Sequence, residues 1–150
     1  MVRSAARGLL AGATGTVALN LVTYGDMVLR GRPSSSMPAE TADRLAGQAG
    51  IELGDGEEKA GREEAAGALL GYVAGLGTGL LYGLLRGRGS RPVWLAGPLL
   101  AAAAMAASDL PATALGVTDP REWSSTAWLS DVVPHLAYGF TTASVYEALR

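Results

Sequence analysis

GALLGYVAGLGTGLLYGLLRG, residues 67–87, is the stretch that decides the fold, because every fourth residue in it is glycine. These glycines are Gly67, Gly71, Gly75, Gly79, Gly83 and Gly87. No charged side chain occurs from Ala65 to Leu85. Glycine is a poor helix former in water, but in lipid the backbone has no other hydrogen-bond partner and stays helical. Small residues four apart let a second helix approach closely, so the stretch predicts a membrane-spanning helix packed through glycine.

The composition of the 150-residue chain also indicates a membrane protein. Apolar residues make up 49% of it and charged residues only 17%, whereas soluble proteins have about 25% charged residues. The absence of cysteine excludes disulfides, thiol catalysis and thiolate metal sites. A net charge of −2 gives no basic surface for nucleic acid. Arginine far outnumbers lysine, and alanine and glycine are abundant, so we expect a bacterial plasma membrane.

Four apolar segments are long enough to cross a bilayer, which takes about 20 residues for a core about 30 Å thick. These segments are residues 8–28, 65–85, 93–115 and 127–149. We therefore predict an all-α fold, a polytopic membrane four-helix bundle with glycine-zipper packing. The first segment has a second interpretation as a cleaved secretory signal, because Arg3 and Arg7 precede it. No clean small-x-small cleavage site follows, and Asn20 and Asp26 fit a signal poorly.

Basic residues predict which side of the membrane each segment end faces. One side carries six of the twelve: Arg3, Arg7, Arg86, Arg88, Arg91 and Arg150. Cytoplasmic ends have an excess of Lys and Arg, so we expect both termini in the cytoplasm. The long, net acidic link of residues 29–64 then lies outside, although Arg30 and Arg32 at its start oppose this orientation.

The outer link predicts a short helix followed by the start of a long one. Pro38 is typical of the first turn of a helix, and the weakly apolar side that follows it would lie on the bundle or the membrane surface. Gly54 and Gly56 then break the chain. A helix from Gly56 to Leu85 would be about 45 Å long, so its first turns would stand outside the bilayer.

The glycine stripe needs a partner helix with small residues. Glycines four apart drift about 40° per step around the helix, which favours a right-handed crossing. The first segment offers a matching surface at Gly8, Gly12 and Thr16. The stripe can be satisfied inside one chain or can join two copies, so the expected partners are the lipid bilayer and a homo-oligomer or another membrane protein.

Ionisable residues inside the predicted spans are functional candidates, because charge is expensive in lipid. The candidates are Asp26, Asp109, Asp131 and His135. At 1.5 Å per residue, all four fall within about 12 Å of the outer face. Asp131 and His135 are four apart and share a helix face. Asn20 and Tyr24 lie toward the Asp26 end of the first segment and are supporting candidates for the same site.

Two interpretations of this set stay open. As a site, the side chains would bind a proton or a hard cation, with a divalent metal as one candidate at Asp109, Asp131 and His135. As structure, Asp26 would pair with Arg30 four residues later, and Asp131 would sit favourably at the start of the fourth helix. His135 would then simply bond an aspartate across the bundle.

Other side chains have ordinary roles in a membrane protein. Trp94, Trp123 and Trp128 lie at segment ends and predict interfacial anchors. Glu147, near the cytoplasmic end of the fourth segment, is expected to snorkel to the interface. The sequence contains no P-loop, dinucleotide fingerprint, serine elbow or HExxH motif, which favours a non-enzymatic protein.

Two runs of the chain carry a resemblance to a family. They are GATGTVALNLVTYGD, residues 12–26, with RGRPSS at residues 30–35, and GVTDP at 116–120, continued to DVVPH at 131–135. Together they resemble small four-helix membrane proteins of actinobacteria that have no known activity. The resemblance covers most of the chain and implies no site residues.

We therefore predict a small integral membrane protein of non-enzymatic structural or partner-binding type. One alternative is an ion- or proton-coupled transporter or sensor that uses the Asp/His cluster near the outer face. A second alternative is a metal-dependent membrane enzyme.

Overall fold

A computed structural model describes residues 2–86 and 91–150, and this part of the chain is all-helical, as predicted. The helices are α1 (Val2–Arg30), α2 (Met37–Gln48), α3 (Gly56–Leu85), α4 (Val93–Ala114) and α5 (Ser125–Ala148), with a 3-10 turn at Pro120–Glu122. No strand occurs within the two described ranges. Gly87 and Arg88, which the sequence analysis assigned to the stripe and to the cytoplasmic side, lie outside the described residues.

Three helices are long and apolar enough to cross a membrane, namely α1, α3 and α4. They contain the predicted segments 8–28 and 65–85 and nearly all of 93–115. The fourth predicted segment, 127–149, forms a continuous helix as α5, but α5 is not among the three. Its length is sufficient, and its hydropathy is lower because it carries ionisable and hydroxyl side chains along its whole length.

The link between α1 and α3 folds as the sequence indicates. α2 begins at Met37 with Pro38 in its first turn, and α3 runs from Gly56 to Leu85 without a break. Gly54 and Gly56 have φ angles of +89° and +56°, which L side chains rarely adopt, so glycine is required at this turn. α2 packs against α3, and two of its small residues, Thr41 and Ala42, are buried.

The packing of the helices leaves apolar side chains facing outward. α1 packs against α3 and α5, while α4 packs against α5 and, less extensively, against α3. The core is made of small residues, one leucine and one tyrosine: Ala96, Leu100, Ala104, Tyr138 and Ala143. Large apolar side chains such as Leu21, Leu69 and Trp94 remain exposed on α1, α3 and α4, which is the pattern of a surface covered by lipid.

Candidate functional site

α1 and α3 approach each other backbone to backbone at their glycines. A Cβ atom on Gly79 would lie 2.5 Å from the carbonyl oxygen of Gly8 and 2.6 Å from the Cα atom of Gly12. A Cβ atom on Gly83 would overlap the carbonyl oxygen of Ser4. Only glycine fits at these positions, because the neighbouring atoms belong to the backbone and cannot move aside by a rotamer change.

The other glycines of the stripe have different surroundings. Gly67 faces α2, where a Cβ atom would lie 2.7 Å from the carbonyl carbon of Pro38. Gly75 faces the hydroxyl of Thr16 on α1. At Gly71, an added Cβ atom would meet nothing within 4 Å. Over its described glycines, Gly67 to Gly83, the stripe is thus shared between α1 and α2 and has one open position.

Tyr138 of α5 reaches α3 through space that glycine leaves. Its side chain is completely buried, and its hydroxyl donates a hydrogen bond of 2.6 Å to the carbonyl oxygen of Gly75. A Cβ atom on Gly15 would lie 2.9 Å from the Cδ2 atom of its ring. Glycine on two helices therefore makes room for a large side chain from a third.

Asp26 lies in an ion-pair network at the end of α1. Arg30 donates to its carboxylate one turn away, which is the pair expected from the spacing, and Arg32 donates through Nε at 2.6 Å. Arg30 also donates to the Ser130 hydroxyl of α5 at 2.6 Å. The sequence analysis did not anticipate Arg32 or Ser130, because Arg32 follows the helix end and only the turn of the chain brings it back.

The three other candidates meet between α4 and α5. Asp109 of α4 is only 8% exposed, and its carboxyl group interacts with that of Asp131 on α5. The Nδ1 atom of His135 lies 3.3 Å from Asp131 Oδ1 and 2.8 Å from the Asp131 carbonyl oxygen. Ser108, which the sequence analysis missed, donates to Asp109 Oδ1 at 3.0 Å. The predicted group of four is thus one ion-pair network around Asp26 and one buried cluster.

The supporting candidates, Asn20 and Tyr24, both belong to α1, whereas the buried cluster belongs to α4 and α5. Tyr24 is 59% exposed on α1, and Asn20 is half-buried. Neither forms a hydrogen bond to Asp109, Asp131 or His135 among the residues that the structure describes.

The geometry gives no support to the divalent metal considered for Asp109, Asp131 and His135. Within residues 2–86 and 91–150, no group of three or more Asp, Glu or His side chains is placed to hold a metal ion. The Nδ1 atom of His135 faces the Asp131 carbonyl oxygen of its own helix, so Nε2 is the ring nitrogen that keeps a lone pair.

A buried ion pair joins the other ends of α3 and α5. The Arg86 side chain is 1% exposed, pairs with Glu147, and donates through Nε to the Tyr82 hydroxyl at 2.8 Å. The Tyr82 ring packs edge-on against Tyr146, with centroids 5.0 Å apart. Glu147 also pairs with Arg150 at 3.1 Å, and the sequence analysis anticipated neither ion pair. One signal in the sequence could have found this pair. Arg86 and Glu147 have opposite charges and lie at helix ends that are predicted on the same side of the membrane.

No family model, curated protein or solved structure matches the chain. The resemblance to small actinobacterial membrane proteins therefore stays a prediction, and function has to be argued from the geometry of the helices and their polar groups.

Proposed function

We propose that this chain is a small integral membrane protein with a structural or partner-binding role, and that it is not an enzyme. The observation that carries the proposal is the backbone contact between α1 and α3 at Gly8, Gly12, Gly79 and Gly83. Helix association in lipid depends on such close packing, because apolar burial gives no net gain between helices already in lipid. The contact also supports a glycine zipper that acts within one chain.

The proposed bundle has four spanning helices, with α5 as the fourth. α5 has 24 residues and is therefore about 36 Å long, enough for a hydrocarbon core of about 30 Å. It packs against both α1 and α4, and its Asp131 carboxyl group faces Asp109 of α4. Polar groups that face other helices are tolerated in a bundle, so the low hydropathy of α5 is compatible with a span.

The proposed orientation places both termini in the cytoplasm of a bacterial cell and the link that contains α2 outside. Basic residues near the termini support it. Tryptophans at both proposed interfaces support the span as well. Trp123 and Trp128 lie 5.0 Å apart by ring centroids at the start of α5, and Trp94 is exposed at the start of α4.

Cysteine labelling tests the four-span topology cleanly, because the chain has no cysteine of its own. Single variants Val2→Cys, Ser35→Cys, Arg121→Cys and Leu149→Cys place one thiol at each proposed end. In intact cells, a membrane-impermeant maleimide should label only the Ser35→Cys and Arg121→Cys variants. The Val2→Cys and Leu149→Cys variants should react only after permeabilisation. Labelling of Leu149→Cys in intact cells would show that α5 does not cross, and would overturn the four-span arrangement.

A second experiment tests whether the open part of the stripe binds a partner. Ala68 lies one turn before Gly71 and is exposed, so Ala68→Cys carries a thiol on the same side of α3. With a bifunctional maleimide in native membranes, a partner or a second copy seated at Gly71 should give a cross-linked product. Gly71→Leu should abolish that product without unfolding the chain. A product that survives Gly71→Leu would contradict partner binding at this face. Absence of any cross-linked product would also count against a partner there and would leave only the structural role.

A further inference from the structure

We propose that Asp109 and Asp131 hold one proton between them and form, with His135, a proton-binding site between α4 and α5. The proposal goes beyond the structural role argued above and does not rest on it. It depends only on the burial and contacts of these side chains inside the packed helices.

The first argument is the contact of two carboxyl groups away from water. Asp109 is 8% exposed, and the side chain of Asp131 is 19% exposed. Their carboxyl groups interact across the helix interface. Two ionised carboxylates in contact repel each other strongly where the dielectric is low, and such pairs keep a proton that belongs to both. One shared proton replaces that repulsion with a hydrogen bond.

The second argument is an unsatisfied oxygen. Asp131 Oδ2 is buried and has no hydrogen-bond partner among the described residues. A buried acceptor without a donor is costly, and the cost is greater when the group is charged. A proton on Asp131 Oδ2, or on the facing Asp109, supplies the missing half of a hydrogen bond.

The third argument is that Ser108 has one hydroxyl proton but two acceptors. Its hydroxyl oxygen lies 2.9 Å from the carbonyl oxygen of Met105 and 3.0 Å from Asp109 Oδ1. The hydroxyl has one proton, and a carbonyl can only accept. When this proton goes to Met105, the Asp109 carboxyl group receives no hydrogen bond from Ser108, and the proton shared with Asp131 takes its place.

His135 provides the group through which the cluster exchanges protons. The Nδ1 atom lies 2.8 Å from the Asp131 carbonyl oxygen and must carry a hydrogen, because that oxygen only accepts. The Nε2 atom is therefore the one that gains or loses a proton. With one proton shared by the carboxyl pair and one on Nε2, the cluster has no net charge, which is the favourable state inside a membrane protein.

The charged groups on the neighbouring helices are held in their own contacts. Asp26 pairs with Arg30 and Arg32, Lys59 pairs with Asp43 and Glu63, and Glu40 and Arg44 line an open cleft beside Leu115. Arg30 comes near through Ser130, but its guanidinium is bound to Asp26. The charge balance of the cluster is therefore set mainly by its own three titratable groups. Loss of the shared proton would place two negative charges between α4 and α5 and weaken their contact.

Infrared spectroscopy of the full chain in lipid nanodiscs at pH 7 tests the proposal. A protonated carboxylic acid has a carbonyl band that a carboxylate lacks, and exposed carboxyl groups are ionised at this pH. We expect one such band in the wild-type protein, shifted in D₂O and lost as the pH is raised. Asp109→Asn and Asp131→Asn should each remove the band, while Asp119→Asn, at an exposed position, should keep it.

The wild-type spectrum alone can overturn the proposal, so the test survives a variant that does not fold. Absence of the band from folded wild-type protein at pH 7 would show that both carboxyl groups are ionised. Survival of the band in a folded variant that combines Asp109→Asn and Asp131→Asn would assign the proton to another residue. Either result would remove the shared proton. Neither result would change the topology of the helices, which cysteine labelling measures independently.

Discussion

Gly79→Leu is expected to lower the free energy of unfolding by at least about 3 kcal/mol, the upper end of the usual cost of overpacking. A Cβ atom at this position would lie 2.5 Å from the Gly8 carbonyl oxygen and 2.6 Å from the Gly12 Cα atom. Both are backbone atoms, so α1 as a whole would have to move away from α3. The measurement is unfolding of the purified protein in mixed micelles with increasing SDS, followed by circular dichroism.

Gly71→Leu is the matched control, because it makes the same change two turns earlier on the same helix. An added Cβ atom there would meet nothing within 4 Å. Leucine also favours a helix more than glycine does, so we expect a change within about 0.5 kcal/mol. If both variants lose the same stability, leucine harms α3 regardless of α1, and the importance of the close contact is contradicted.

Arg86→Ala is expected to lower the free energy of unfolding by about 3 kcal/mol, because it removes one partner of a buried ion pair. The Arg86 side chain is 1% exposed and that of Glu147 is 22% exposed, so water can only partly replace the lost guanidinium. The change also removes the contact of the guanidinium with the Tyr82 ring, 5.6 Å from its centroid. The same SDS titration measures the effect.

Two comparison variants separate burial from charge. Arg62→Ala breaks an exposed pair with Glu58 on the same helix, and we expect a loss of at most about 1 kcal/mol. The double change Arg86→Met and Glu147→Leu removes both charges and keeps apolar volume, so most of the stability should return. A double variant as unstable as Arg86→Ala would show that packing around Arg86, and not the unpaired charge, causes the loss.

The ends of these helices could be predicted from the sequence because each signal lies within a few residues of the boundary that it sets. The bounds of α3 follow from Gly54 and Gly56 before it and from Arg86 after its last apolar turn. The start of α2 follows from Pro38. Helix formation in such a chain is decided by neighbours along the sequence, so these boundaries could be predicted without any tertiary contact.

The polar sites were harder to predict because residue depth says nothing about direction around a helix. Asp26 and Asp109 were expected at similar depths, yet Asp26 pairs with arginines and Asp109 meets Asp131. Arg86 gained its role only from Glu147, on a helix that lies far away in the sequence. For the same reason, the spacing of the stripe did not distinguish Gly71, which has open space, from Gly79, which has none.

The pairing of the first helix with the last has a consequence for how the chain is made. α1 packs against α5, and 94 residues separate Arg30 from Ser125. At typical rates of synthesis, the ribosome needs about 5–20 seconds to add them. During this interval the face of α1 that will receive Tyr138 has no partner from its own chain. In the proposed four-span arrangement, α1 therefore waits in the bilayer for α5, and a chain cut short after α4 would leave that face open to proteases and to other nascent helices.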